Sequence, residues 1–326
     1  MISINQNIIS KILDANSHEI DLLIARLKQS VINFRNNPDK YGGKNKPRVQ
    51  IILQPTETNY LDKLIANFEI IVKAEPKNLK VLKNEFDAII PGDQLAKQNK
   101  EFKNELLNRI GYSQLRDNYY AGYFEATGLK ACVYCNSQLA VTVRSFNKSR
   151  SAKFQVDHFL PKSEYPCFSI SFFNLLPVCG PCNGKKSANA VDFNVYSDNF
   201  NDLKDSPFKF RLDKKSIISY RVNGDKDNLL ILFDDPLKKD FNKSFDIEGI
   251  YSTQKDLAEE LVLKSIIYNE TYLKSLRNSF KKLYPDKIPM AERLLVGNYN
   301  NVKDIHKRPM AKFTQDIAKQ LKLISD

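Results

Sequence analysis

Four of the five cysteines stand in two Cys-x-x-Cys pairs, Cys132/Cys135 and Cys179/Cys182. Each pair can present two thiolates to one metal ion, and two pairs complete the tetrahedral shell that Zn²⁺ prefers. Four thiolates leave no open coordination position, so the predicted zinc is structural. The alternative is a set of buried core cysteines, because free cysteine is among the most buried residue types. The fifth, Cys167, is expected to be a small apolar filler.

The 43 residues between the two pairs carry a second group of reactive side chains. Zinc binding would draw the ends of this insert together and could hold Asp157, His158 and Asn183 around one point. A carboxylate and an amide oxygen are hard ligands that suit Mg²⁺ or Mn²⁺. A neutral imidazole can take a proton from water near neutral pH. The segment therefore predicts a metal-dependent hydrolytic site separate from the zinc.

Basic charge surrounds this group. Residues 136–186 hold seven Lys and Arg against two Asp and Glu, and the whole chain of 326 residues carries a formal charge of +12. Such an excess favours a polyanionic partner. Nucleic acid is preferred over an acidic membrane surface, because the basic residues are spread along the chain. Phosphates are expected at Arg144, Lys162, Lys185 and Lys186.

Three segments, CVYC, VDHFLPKS and NLLPVCGPCNGKKS, together resemble the HNH nucleases of the ββα-metal type that carry a cysteine zinc frame. The resemblance implies that His158 is the general base and Asn174 a structural clamp. It also implies that Asp157 and Asn183 ligate the catalytic ion. Lys186 matches the basic residue that follows the second cysteine turn in many members. Asn183 departs from the eponymous third histidine, a common variant of the family.

The function implied by this resemblance is hydrolysis of phosphodiester bonds, first of all in double-stranded DNA, with 5′-phosphate and 3′-hydroxyl products. RNA stays open as a substrate. The chain is also similar to HNH proteins of bacterial anti-phage defence, including Septu-like nuclease subunits that pair with an ATPase. An ATPase or another defence subunit is thus an expected partner, and an oligomer is compatible. Two alternatives remain: a zinc-stabilised nucleic-acid-binding module whose site is idle, and an assembly subunit that cuts only with its partner.

The elements that position these residues are predicted to form an α+β fold, mostly helical around a small central module. The predicted regions are helical residues 1–125, a nuclease module at 126–195, and residues 196–326 with a short hairpin followed by helices. No apolar run approaches the ~18–20 residues of a membrane span, and the N-terminus lacks the basic region of a signal peptide. A cytoplasmic protein without a membrane partner is expected, its cysteines reduced.

Three local patterns refine this expectation. The segment LRDNYYAGYFEATGLKA predicts one amphipathic helix that stops at Gly128. VYCNSQLAVTV and AKFQVDHFL predict the two strands of a hairpin. RLDKKSIISYRV and NLLILFD predict a second strand pair, turned at Asn223-Gly224. His18 and His306 are expected at the surface.

Overall fold

The structure is a computed structural model that describes residues 1–147, 149–186, 193–236, 240–285 and 288–324. Helices predominate and all strands in these ranges are short, so the α+β class is confirmed. One contiguous hydrophobic core includes buried residues from all three predicted regions. Within the ranges described, no helix combines the length and the apolar character needed to cross a membrane.

The residues before the first cysteine pair form helices with one apolar face each. In the longest of them, Ile20, Ile24, Leu27 and Val31 recur every three or four positions and are buried. The elements are β1 (Ile4–Asn5), α1 (Asn7–Ala15), α2 (Ser17–Asn36), β2 (Asp39–Lys40), β3 (Val49–Gln50), α3 (Pro55–Ala66), α4 (Phe68–Lys73), α5 (Pro76–Asp87), α6 (Gly92–Lys97), α7 (Lys100–Arg109), α8 (Tyr112–Asn118) and α9 (Tyr120–Thr127).

The single helix predicted before the cysteines is instead two, α8 and α9, which break at Tyr119. Tyr120, Tyr123 and Phe124, three and four positions apart, lie on one face of α9 and are all buried. The predicted stop at Gly128 is confirmed, since this glycine adopts φ +72° at the end of α9.

The central region contains two separate strand pairs. Its elements are β4 (Val141–Arg144), β5 (Arg150–Lys153), β6 (Gln155–His158), β7 (Leu175–Val178) and α10 (Gly180–Lys186), with short 3₁₀ turns at Pro166–Phe168 and Phe172–Asn174. The predicted hairpin is confirmed for β4 and β5, which pair antiparallel. The residues that follow belong to a second pair, because β6 lies antiparallel to β7, with Asp157 opposite Leu176 and His158 opposite Leu175. Helix α10 follows β7 directly, which completes a β–β–α unit.

The C-terminal region is helical, as predicted for residues after Thr253. Its elements are β8 (Tyr196–Ser197), α11 (Phe200–Lys204), β9 (Lys209–Leu212), α12 (Lys214–Asn223), β10 (Ile231–Asp234), α13 (Asp240–Phe245), α14 (Ile247–Ser252), α15 (Lys255–Ile267), α16 (Glu270–Leu283), α17 (Ile288–Val296) and α18 (Ala311–Gln320), with 3₁₀ turns at Lys226–Asn228 and Val302–Lys307.

The strand pair predicted around Asn223-Gly224 is only partly right. β9 and β10 do pair antiparallel, but the residues between them form α12. The Asp213 side chain accepts from the backbone N–H of Ser216 and so begins this helix, while Gly224 at φ +71° ends it. Gly224 therefore ends a helix and does not turn a hairpin. The Asp213 cap is the sequence signal that would have indicated this helix.

His306 was expected at the surface, but it is buried. Its Nε2 lies 2.9 Å from the carbonyl oxygen of Ile2, and its own carbonyl accepts the backbone N–H groups of Lys130 and Ala131. Burial first, then the N-terminal ammonium, lowers the pKa of His306 from 6.5 to about 3. His306 therefore contacts two distant segments, Ile2 through its neutral imidazole and Lys130–Ala131 through its backbone carbonyl.

The depressed pKa of His306 predicts a loss of stability in acid. The unfolded imidazole takes a proton below about pH 6.5 and the folded one only near pH 3, so the free energy of unfolding falls as the pH drops between these values. At pH 5 the expected loss is about 2 kcal/mol. His306→Gln should reduce the difference in urea stability between pH 7 and pH 5 by about that amount. An unchanged difference would contradict the assignment.

Candidate metal and catalytic site

The four paired cysteines meet in one buried cluster. Their sulfur atoms all lie within 4.8 Å of one another, and the Sγ atoms of Cys135 and Cys179 are 3.8 Å apart. A tetrahedral zinc shell with Zn–S bonds of about 2.3 Å would place its sulfurs about 3.8 Å apart. The cluster could therefore hold a zinc ion, and Cys167 lies outside it.

The first cysteine turn favours thiolate at Cys135. Hydrogen bonds from neighbouring thiols, Cys132 first, lower the pKa of the Cys135 thiol. The Ser137 hydroxyl and backbone N–H also donate to its sulfur, at 3.1 and 3.4 Å. Thiolate is the form that binds a metal, so the polar surroundings of this turn suit an ion.

Asn136, inside the same turn, connects the cluster to the C-terminal region. Its backbone adopts φ +53°, which asparagine tolerates better than most residues. Its side chain donates to the Ile305 carbonyl at 2.8 Å and accepts from the backbone N–H of Lys312 at 3.0 Å. The Tyr251 hydroxyl donates to the carbonyl of Cys135 at 2.9 Å. The C-terminal helices thus help to fix the geometry of the cysteine turn.

Two side chains donate hydrogen bonds to Asp157, one from the first cysteine turn and one from α10. Tyr134, the residue before Cys135, donates its hydroxyl to Oδ2 of Asp157 at 2.6 Å. The Lys186 ammonium, on α10, lies 3.1 Å from Oδ2 and 3.3 Å from Oδ1 and also donates to the His158 carbonyl at 2.8 Å. Oδ1 therefore has the longer contact and the greater capacity to bind another partner.

His158 follows on the next position of β6. Its Nε2 is 3.1 Å from the Ser169 carbonyl oxygen, and because a carbonyl only accepts, Nε2 carries the proton and Nδ1 the lone pair. Its ring packs against Tyr112 of α8, with 5.1 Å between centroids. Burial first, then the Lys162 charge, lowers the pKa of His158 from 6.5 to about 3, so the ring is neutral at pH 7. The ring therefore has a lone pair on Nδ1 that is able to accept a proton.

Access to this pair is narrow. Asp157 is 5% exposed and His158 3% exposed. The Lys162 ammonium lies over the Tyr112 ring at 4.3 Å, and this ring in turn covers part of the imidazole. This Tyr112–Lys162 layer therefore contributes to the burial of the imidazole.

Asn174 is fully buried between the two strands of the β–β–α unit. Its side chain accepts from the Leu160 N–H at 2.7 Å and donates to the carbonyls of Leu160 and Phe168 at 3.1 and 2.9 Å. These bonds close the loop that follows His158. The geometry is that of the clamp which the sequence predicts, although its role in catalysis stays a prediction.

Asn174→Ala is expected to lower the free energy of unfolding by about 2–4 kcal/mol, because three hydrogen bonds of about 0.5–1.5 kcal/mol each disappear and buried partners lose them. Urea unfolding measures the difference. Asn78→Ala, at an exposed position of α5, is the matched control and should change stability little. Equal free energies of unfolding for the two variants would contradict the structural role of Asn174.

Asn183 lies on α10, next to the face of β6 that carries Gln155 and Asp157. Its side-chain amide donates to Oε1 of Gln155 at 2.7 Å, two positions before Asp157 along the strand. The bond uses the amide nitrogen and leaves the amide oxygen as the group able to ligate. A carboxylate oxygen and an amide oxygen fit a hard divalent cation, but the α10 residue that contacts Asp157 is Lys186.

The predicted phosphate-binding residues differ in position. Arg144 and Lys185 are exposed and form ion pairs with Glu125 and Asp246 at 2.6 and 3.1 Å. Lys162 is only partly exposed, above Tyr112. Lys186 is 1% exposed, and its ammonium contacts Asp157 and the His158 carbonyl. The phosphate contact predicted for Lys186 stays a prediction.

Sequence reasoning missed Tyr134 and Tyr112. Tyr134 carries no signal except its place between two cysteines, and its ring is stacked on Phe245 at 4.4 Å. Tyr112 is distant in sequence from His158 and comes close only through the packing of α8. Neither contact follows from a local pattern.

One curated relative shares a segment with this chain. Septu protein PtuB of Bacillus thuringiensis is 44% identical over 55 residues, which are 17% of this chain and 18% of that protein. No family model matches the chain, and no solved structure matches it. The similarity suggests a Septu-like defence protein, and the matched segment covers less than a fifth of either chain.

Proposed function

We propose that this protein is a metal-dependent HNH-type endonuclease of a Septu-like anti-phage system, acting on DNA in the cytoplasm. The observation that carries the proposal is the β–β–α unit in which Asp157 and the oriented, neutral His158 end one strand beside α10. The segment shared with Septu protein PtuB supports the defence role.

In the proposed mechanism, Nδ1 of His158 takes the proton from the attacking water. The Ser169 carbonyl fixes the orientation of the ring, and Asn174 holds the loop that follows it. Asp157 and Asn183 would hold a Mg²⁺ or Mn²⁺ ion, which supplies charge stabilisation at the phosphate and the leaving oxygen. Lys162, Lys185 and Arg144 offer positive charge to the nucleic-acid backbone. Zinc at the four cysteines maintains the frame.

The test is incubation of purified protein with supercoiled plasmid and either Mg²⁺ or Mn²⁺. Metal-dependent nicked or linear products with 5′-phosphate ends are expected, and EDTA should prevent them. A parallel RNA substrate distinguishes a ribonuclease. Binding of DNA that is strongly salt-dependent, with no turnover under any divalent ion, would instead favour a binding module with an idle site.

The burial of the site favours a second candidate, a nuclease that cuts only with a partner. Because Asp157 and His158 are almost covered, the Tyr112–Lys162 layer must move, and a bound subunit such as an ATPase could move it. This version predicts no cutting by the lone chain and cutting once the proteins encoded beside it are added. Rapid cutting by the lone chain would contradict it.

A further inference from the structure

Two neighbouring lysines of α10 have opposite surroundings. Lys185 is 51% exposed and pairs with Asp246 at the surface, whereas the side chain of Lys186 is 1% exposed. Among the residues that the structure describes, the polar contacts of the Lys186 ammonium are to β6: both carboxylate oxygens of Asp157 and the carbonyl of His158. An ammonium is buried in this way only when an anion compensates it. Asp157 is that anion.

This pairing alters what Asp157 can do for a metal ion. A divalent cation at the free side of Oδ1 would share its carboxylate with an ammonium that already lies 3.3 Å from the same oxygen. The two cations repel each other across a buried, weakly screened space. The free protein should therefore bind such an ion poorly at Asp157.

The protein also offers few other ligands. Among the residues that the structure describes, the four cysteines are the one group of three or more His, Cys, Asp or Glu placed to share an ion. An ion at Asp157 and Asn183 must complete its coordination with water and with oxygens of the substrate. A phosphodiester supplies ligand oxygens, and its negative charge offsets the repulsion between the ion and the Lys186 ammonium.

We infer that Lys186 is an internal counter-ion of Asp157 that makes divalent-ion binding depend on nucleic-acid phosphate. The inference rests on the proposed function, because it concerns the same carboxylate. Lys186 is a positioning residue in this scheme: with Tyr134 it fixes Oδ2, and its charge sets the affinity at Oδ1. The ion and the substrate then bind together, and the free protein stays largely unloaded.

The experiment is a titration of zinc-loaded protein with Mn²⁺, followed by the EPR signal of free Mn²⁺, with and without a short DNA duplex. For the wild type, the duplex should tighten Mn²⁺ binding at least about tenfold. Lys186→Met should bind Mn²⁺ at least about tenfold more tightly than the wild type without DNA. Lys11→Met, at an exposed lysine of α1 that has no role in the proposed site, is the control and should behave like the wild type. Asp157→Asn combined with Lys186→Met should lose the gain, which locates the ion.

Two results would overturn the inference: equal Mn²⁺ affinity of the wild type with and without the duplex, or a Lys186→Met variant that binds Mn²⁺ no more tightly than Lys11→Met. If Lys186→Met does not fold, Lys186→Gln keeps a donor for Asp157 without the charge and replaces it. Mn²⁺ affinity without DNA involves no cleavage. A lysine effect in a protein that cuts nothing therefore contradicts the proposed function alone, and cutting without a lysine effect contradicts this inference alone.

Discussion

His158→Ala is expected to lower the rate of plasmid cleavage by a factor of about 10²–10⁴ while the protein stays folded, because general-base catalysis contributes about that much. The variant removes the nitrogen that carries the lone pair but leaves Asp157, Lys186 and the cysteine cluster in place. Cleavage is measured under conditions in which the wild type cuts, with a partner if one is required. Circular dichroism and zinc content establish that the variant retains its fold.

His18→Ala provides the matched control, since this histidine lies exposed on α2. It should cut at the wild-type rate. If the His158→Ala variant cuts as fast as His18→Ala, His158 is not the general base and the proposed mechanism is wrong.

Loss of the predicted zinc is expected to unfold the central module. The sulfur cluster joins the segment before β4 to the start of α10. Without an ion, the metal–sulfur bonds that hold these two segments together would be lost, and four thiols would be left buried. Zinc binding contributes about 10–16 kcal/mol in small zinc domains, so Cys135→Ser should reduce the free energy of unfolding by more than about 5 kcal/mol. Thermal melting and zinc analysis of the purified protein measure both effects.

Cys167→Ala distinguishes the loss of the ion from the loss of a buried sulfur. Cys167 is as buried as the others but lies outside the cluster. This variant should keep one zinc per chain and lose only the packing of one small side chain. Zinc-free wild-type protein with unchanged melting would contradict the structural role of the ion.

The sequence predicts the cysteine cluster well because its signal is local. Each Cys-x-x-Cys turn places two sulfurs together by itself, and a shared ion requires the two turns to meet. The position of Lys186 could not be predicted in the same way. Successive residues of a helix point about 100° apart, so whether Lys185 or Lys186 faces inward depends on how α10 is rotated against β6. That rotation is set by packing over the whole module.

The errors elsewhere have different origins. In α12, the apolar residues Ile218, Tyr220 and Val222 alternate with polar ones, a pattern that also suits a strand, whereas the cap at Asp213 favours the helix. His306 carries polar neighbours in sequence, yet the contact with Ile2 buries it. In both cases a single interaction overrides a short pattern.

The contacts of Asn136 also bear on how the protein is made. Its bonding partners Ile305 and Lys312 follow it by 169 and 176 positions. At roughly 5–20 residues per second, a ribosome needs about 10–35 s to add that stretch. A growing polypeptide would thus contain β6 and the cysteine turn well before the turn receives its last hydrogen bonds, so the central module would be completed only near the end of translation.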